Sequence, residues 1–172
     1  MKKLIAVFLT FCLLFSSISA LALSRNFTAI EISEIMASNK ESLRDSNDKG
    51  YDWFELHNTS DEEIDLEGLC LSDGKKNLKK FVFPAGITLP ADGYMIIFCS
   101  GEESVETLED GSVEIHTSFK LSAKGEKVVV SYQDVILDLV KFDEQEKDVS
   151  YAKQQNGSWK KTSDPTPGEK NY

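Results

Sequence analysis

Asp52-Trp53-Phe54-Glu55-Leu56-His57-Asn58-Thr59-Ser60-Asp61-Glu62-Glu63-Ile64-Asp65-Leu66-Glu67-Gly68-Leu69-Cys70-Leu71-Ser72-Asp73 is the stretch that decides how the chain folds. Trp53 to His57 alternates apolar and polar side chains, Asn58 to Glu63 is a polar turn cluster, and Ile64 to Leu71 resumes apolar spacing at period two. That is strand, turn, strand, the corner of a two-layer β core. Successive strand side chains point to opposite faces. If Phe54 and Leu56 face inward, then Trp53, Glu55 and His57 share the outward face.

Upstream, Ser24 to Thr28 reads as a loose end. Ile30, Ile32, Ile35 and Met36 alternate and then slip, as a bulged strand or a short amphipathic helix would. Asn39 to Lys49 is a polar loop long enough to be mobile. Downstream, Phe81-Val82-Phe83 is a brief strand ended by Pro84, and Pro90 to Gly93 is a turn. Tyr94 to Cys99 is the most apolar run after the N-terminal segment and reads as a central strand buried on both faces. Gly101 to Gly111 carries Glu102, Glu103, Glu106, Glu109 and Asp110 and reads as a solvated loop. Val113 to Phe119 and Lys127 to Tyr132 are strands, and a turn at Gln133-Asp134 joins the latter to Val135 to Phe142. Val149 to Ala152 and Ser158-Trp159 are short enough to edge a sheet. Short strands spaced by turn signals, with no long helix and no repeat, predict an all-β sandwich.

The N-terminus has the layout of a secretory signal peptide, with Lys2 and Lys3, an apolar run from Leu4 to Phe15, and small residues at Ala20-Leu21-Ala22. A membrane anchor is the competing reading, for which the run is short against a ~30 Å hydrocarbon core. The expected organisation is a cleaved leader over 1–22, a flexible mature N-terminus over 23–28 and one β-sandwich domain over 29–172. Cleavage removes two of the 19 basic residues and none of the 29 acidic ones, taking the net charge from −10 to −12. Such a surface repels phosphate backbones, so nucleic acid is an unfavoured partner. Secretion would also permit a disulfide between Cys70 and Cys99. It would close a loop of about 30 residues and constrain the unfolded chain by up to about 3.6 kcal/mol. Two separate buried thiols are the alternative.

Six segments, in order, resemble the lamin tail domain, an immunoglobulin-like β-sandwich. Ile32-Ser33-Glu34-Ile35-Met36-Ala37-Ser38-Asn39 resembles its opening strand, which favours strand over helix there. Asp52-Trp53-Phe54-Glu55-Leu56-His57-Asn58 resembles its acidic-Trp-aliphatic-Glu-Leu-x-Asn signature, and Leu66 to Asp73 the strand that follows. Phe83-Pro84-Ala85-Gly86 with Leu89 to Tyr94 is similar to its paired turns. Phe119 to Glu126 is similar to its penultimate hairpin, and Pro165-Thr166-Pro167-Gly168 with Asn171 to its closing motif. The loop from Glu102 to Gly111 and Cys70 depart from the pattern. The resemblance implies an all-β, immunoglobulin-like fold whose motif residues are framework. It also implies an accessory or attachment role and no catalytic set.

Residues that could carry chemistry are sparse. His57 and His116 with Asp52, Glu55 and Asp73 follow no metal-ligand spacing. The acidic runs Asp61 to Asp65 and Glu102 to Asp110 lack a calcium-loop pattern. Glu34 and Glu55 could pair for acid/base work, although buried glutamates satisfied by hydrogen bonds are the simpler account. Catalytic, cofactor and metal residues are therefore expected to be absent. Trp53, His57 and Trp159 are the candidate partner surface, through stacking on a sugar or anchoring a protein. Asn26, Asn58 and Asn156 head glycosylation triplets. The expected activity is that of an exported, non-catalytic binding, adhesion or structural module, secreted or at the cell surface, with a protein or glycan of the envelope as partner. A small secreted hydrolase or metal-dependent enzyme is the alternative.

Overall fold

The computed structural model describes residues 25–172, so the leader expected over 1–22 lies outside the described residues. Thirteen strands follow a single 3-10 turn at Phe27–Ala29. They are β1 (Ile30–Met36), β2 (Trp53–Asn58), β3 (Ile64–Asp65), β4 (Cys70–Ser72), β5 (Phe81–Val82), β6 (Thr88–Leu89) and β7 (Tyr94–Phe98). After these come β8 (Ser104–Thr107), β9 (Val113–His116), β10 (Gly125–Tyr132), β11 (Val135–Asp143), β12 (Ser150–Lys153) and β13 (Trp159–Thr162). A seven-stranded sheet in the order β13-β12-β1-β2-β7-β9-β8 faces a four-stranded sheet in the order β11-β10-β4-β5, with β3 and β6 paired beside them. Pairing is antiparallel except between β7 and β9.

The main core lies between the two sheets. Ile30, Ile32, Ile35, Phe54, Leu56, Ile97 and Ile115 come from one layer, and Leu71, Phe81, Val128, Val130, Val140 and Phe142 from the other. β1 is the bulged strand, its register slipping between Ile32 and Glu34. The slip keeps Ile35 on the core side after Ile32, which strict alternation would forbid. The β10–β11 hairpin turns at Gln133 and Asp134, both at positive φ (48° and 64°), as a two-residue turn matched to strand twist requires. Gly125, which opens β10, has φ +93°, and a Cβ there would stand 2.8 Å from the Phe142 carbonyl oxygen.

Several expectations need correction. The run Ile64 to Leu71 is two strands, because a turn closed by Leu69 N–H to Leu66 O interrupts it. The acidic stretch Gly101 to Gly111 contains β8, paired to β9. β7 is not buried on both faces. It touches β9 only at Phe98, opposite His116, so Tyr94, Met95 and Ile96 have no strand on that side and are half-buried. The N-terminus expected to be loose is anchored at Phe27, which is 5% exposed and packs 4.6 Å from the Tyr132 ring. Cys70 and Cys99 are separate buried thiols. Cys99 points into the core, whereas Cys70 lies between core residues Leu69 and Leu71 on β4 and so faces the other side of its sheet.

Alanine at Gly125 should cost roughly 1–3 kcal/mol of stability, since the backbone cannot leave positive φ without breaking the β10–β11 pairing. Gly74, where an added Cβ would meet nothing within 4 Å, is the control and should shift by less than about 0.5 kcal/mol. Urea unfolding of the two variants measures the difference.

Candidate functional site

The outward face of β2 carries Trp53, Glu55 and His57 in turn, and each meets different surroundings. Trp53 sits in a row with Met36 of β1 and Phe98 of β7, its cross-strand partners. These three form a second apolar cluster, covered by Leu43 and Tyr51. Trp53 is 0% exposed, so it is not part of a contact surface. Its indole N–H has no hydrogen-bond partner among the described residues. The cover is the segment from Asn39 to Lys49, which is fastened rather than mobile. The Asn39 side-chain amide donates to Leu43 O and Tyr51 O at 2.7 Å each. Lys40 N–H donates to Asp148 Oδ1 at 2.6 Å, and Ser46 N–H to Glu114 Oε2 at 2.7 Å.

Glu55 and its cross-strand neighbour Glu34 are both 0% exposed. They hold down the C-terminal segment. Glu34 accepts from the Ser150 hydroxyl and from Thr166 N–H (3.1 Å), and Glu55 Oε2 accepts from Gly168 N–H at 2.6 Å. The Asn171 amide completes the seam by donating to Ser33 O at 3.1 Å. Burial raises both carboxyls, and Glu55 is pushed up to about 7 against the hydrogen bonds from Ser33 and Gly168, which act to lower it. The Ser33 hydroxyl donates to Glu55 Oε1 at 2.5 Å, with the Glu55 carbonyl oxygen further off at 3.3 Å. No Lys or Arg of the described residues pairs with either glutamate. Two carboxyls fully engaged in this way are fasteners, not an exposed acid/base pair.

His57 is 15% exposed at its side chain and stacks on Tyr94 with ring centroids 4.2 Å apart and planes 3° from parallel. Its Nε2 lies 2.8 Å from Asp92 Oδ1, while Nδ1 faces Glu31 Oε1 at 3.7 Å. Burial pulls the imidazole down, but these acids outweigh it and leave it raised. Glu31, which faces the His57 ring and accepts from Lys153 Nζ at 2.6 Å, is lowered by these two cations. Glu31, Ser33, His57, Tyr94, Lys153 and Lys170 line a polar groove of about 440 Å³. Trp159 does not join it. That residue is half-buried and stacked on Tyr151 (4.9 Å), packed against the main core. The three residues expected to form one surface thus separate, and Tyr94 takes the place beside His57. Asn58 is fully buried with its amide bonded to three carbonyls, so it cannot carry a glycan, while Asn156 is exposed.

His116 lies away from His57, and Asp52, Glu55 and Asp73 do not gather around either. Instead Asp45 and Glu114 converge on His116, with one ligand-capable atom from each lying within 4.8 Å of the others. Glu114-x-His116 was a visible signal, since two residues apart on a strand means one face. Asp45, far away in sequence on the covering loop, left none.

Stability should fall as pH rises through neutrality. Glu55 and His57 both titrate higher in the folded chain than when unfolded, so each contributes fully at pH below about 4.5 and 6.5 respectively, and the contribution is lost as pH climbs through the folded values, about 7 for Glu55. For Glu55 the loss is roughly 1–3 kcal/mol. Glu55→Gln, which mimics the protonated acid, should flatten the slope between pH 5 and 8 in urea titrations; an unchanged slope contradicts this protonation.

No curated protein matches the chain. The Lamin Tail Domain family matches it over residues 24–166. That span covers the bulged opening strand, the β2 signature and the Thr166 end of the C-terminal seam, in which the motif residues serve as framework. The chain belongs to the lamin tail domain family, whose immunoglobulin-like sandwich is a non-catalytic module.

Proposed function

We propose that the chain is an exported binding module, working at the cell envelope or outside the cell and recognising a protein or glycan there. The observation that carries this reading is the groove at His57 and Tyr94. It is concave and polar, with a floor on strands β1, β2 and β7 and walls from the β12–β13 turn and the C-terminal segment. Its amide, hydroxyl and ammonium groups suit the hydroxyls and carboxylates of a glycan, and the aromatic pair gives sugar rings a face. The leader-like N-terminus and the acidic composition support export and a soluble life afterwards. Among the described residues no helix is long and apolar enough to cross a membrane. The convergence of His116 with two carboxylates favours a second reading, a metal-dependent hydrolase. It expects zinc-dependent turnover of ester or phosphodiester reporters that is lost in His116→Phe.

Fractionation of the producing cells should find the chain outside the cytoplasm, starting at Leu23. Cosedimentation of that exported form with isolated envelopes should be saturable, survive high salt and weaken at least tenfold in Tyr94→Ser. Retention in the cytoplasm, or binding seen only at low salt, would overturn the reading.

A further inference from the structure

We propose that Asp45, Glu114 and His116 form a site for one divalent transition-metal ion, zinc being the best fit, which clamps the β1–β2 loop to β9. All three are nearly buried, at 9%, 9% and 7% exposure. Among the described residues no Lys or Arg side chain forms an ion pair with either acid. Two almost enclosed carboxylates and one imidazole thus carry an excess of negative charge that a cation would neutralise.

The donors point at one place. Glu114 Oε1 lies 3.2 Å and Asp45 Oδ2 4.0 Å from the same nitrogen, His116 Nε2. Donors sharing a zinc at about 2.0–2.1 Å stand roughly 3.0–3.5 Å apart, so a contraction of roughly 1 Å closes the site. His57 shows the contrast. Its two acids flank opposite ring nitrogens and cannot share an ion.

The ligands are already oriented. Asp45 Oδ1 accepts from Asn47 N–H (2.9 Å) and Lys49 N–H (2.8 Å), which leaves Oδ2 towards the histidine. Glu114 is held through Oε2 by Ser46 N–H at 2.7 Å and through Oε1 by the Ser46 hydroxyl at 2.9 Å. The imidazole is stacked on Phe98, 5.1 Å between centroids at 23°, and met edge-on by Tyr51 at 5.4 Å. Hydrogen-bonded carboxylates and a fixed ring are what metal ligands need from their surroundings. The triad opens into a cleft of about 260 Å³ whose wall carries Glu102, Glu103 and Glu106 against one lysine, Lys49; the net negative lining draws cations in, and the space leaves room for water as a further ligand. An imidazole donor favours zinc over calcium or magnesium. Because Asp45 belongs to the segment covering Trp53, an ion here would fix that cover in place.

The test uses the exported chain stripped of metal with a chelator. Zinc titration should show one ion per chain, a thermal midpoint that rises with the logarithm of free zinc, and no comparable rise with calcium. Affinity should fall at least tenfold in Asp45→Asn and in His116→Phe, the latter keeping the ring stack on Phe98. Cobalt(II) should give visible bands that both variants lose. Absent zinc binding, or equal affinity in wild type and both variants, overturns the proposal. Zinc binding without turnover of any reporter would uphold the clamp and defeat the hydrolase reading.

Discussion

Everything outside the sandwich core depends on the outward face of β2, where Trp53, Glu55 and His57 follow one another at two-residue spacing. A strand in the middle of a sheet pushes half of its side chains away from the core. Here that half includes an indole, which gains from being covered, and a carboxyl, which a cover desolvates and must therefore satisfy with hydrogen bonds. The indole is roofed by the β1–β2 loop. The carboxyl is roofed by the C-terminal segment, whose Gly168 amide donates to it while the Thr166 amide donates to Glu34 beside it. Only the His57 end stays open, and it is there that the groove forms. The sandwich is thus three layers deep over part of its area, with the outermost layer made of loops.

That division explains what the sequence showed and what it hid. Phe54 and Leu56 alternate into the core, Gln133-Asp134 turns a hairpin, and the slip after Ile32 is a bulge; all of these are local, and local spacing displays them. The burial of Trp53 is not local. Periodicity places it opposite Phe54 but cannot tell whether solvent or another segment lies beyond, and Leu43 and Tyr51 come from a stretch whose polarity reads as loop. The half-exposure of Tyr94 to Ile96 was hidden for the related reason that β9 reaches only Phe98. The thiols illustrate the limit of compartment arguments, since an oxidising setting permits a bridge only between sulfurs that face each other.

The titratable groups divide along the same lines. Glu34 and Glu55 are taken up in fastening the C-terminal segment to the sheet, His57 is balanced between two acids and stacked on Tyr94, and His116 alone gathers two carboxylates at a single nitrogen. A framework that places carboxyls at its seams gains specificity of closure, because each oxygen selects a particular amide, at the cost of desolvating an ionisable group. Burial pushes the Glu55 carboxyl up to about 7, which makes the uncharged form, the one with the smaller desolvation cost, accessible near neutrality.

The central claim, that the signature glutamate is a protonated fastener rather than an exposed acid or base, is tested most directly by carbon-13 NMR titration of the side-chain carboxyls. Glu55 is expected to titrate near 7, together with shifts at the Gly168 amide and Ser33. A Glu55 carboxyl that titrates near its ordinary 4.5 and leaves the Gly168 amide unmoved would contradict the claim.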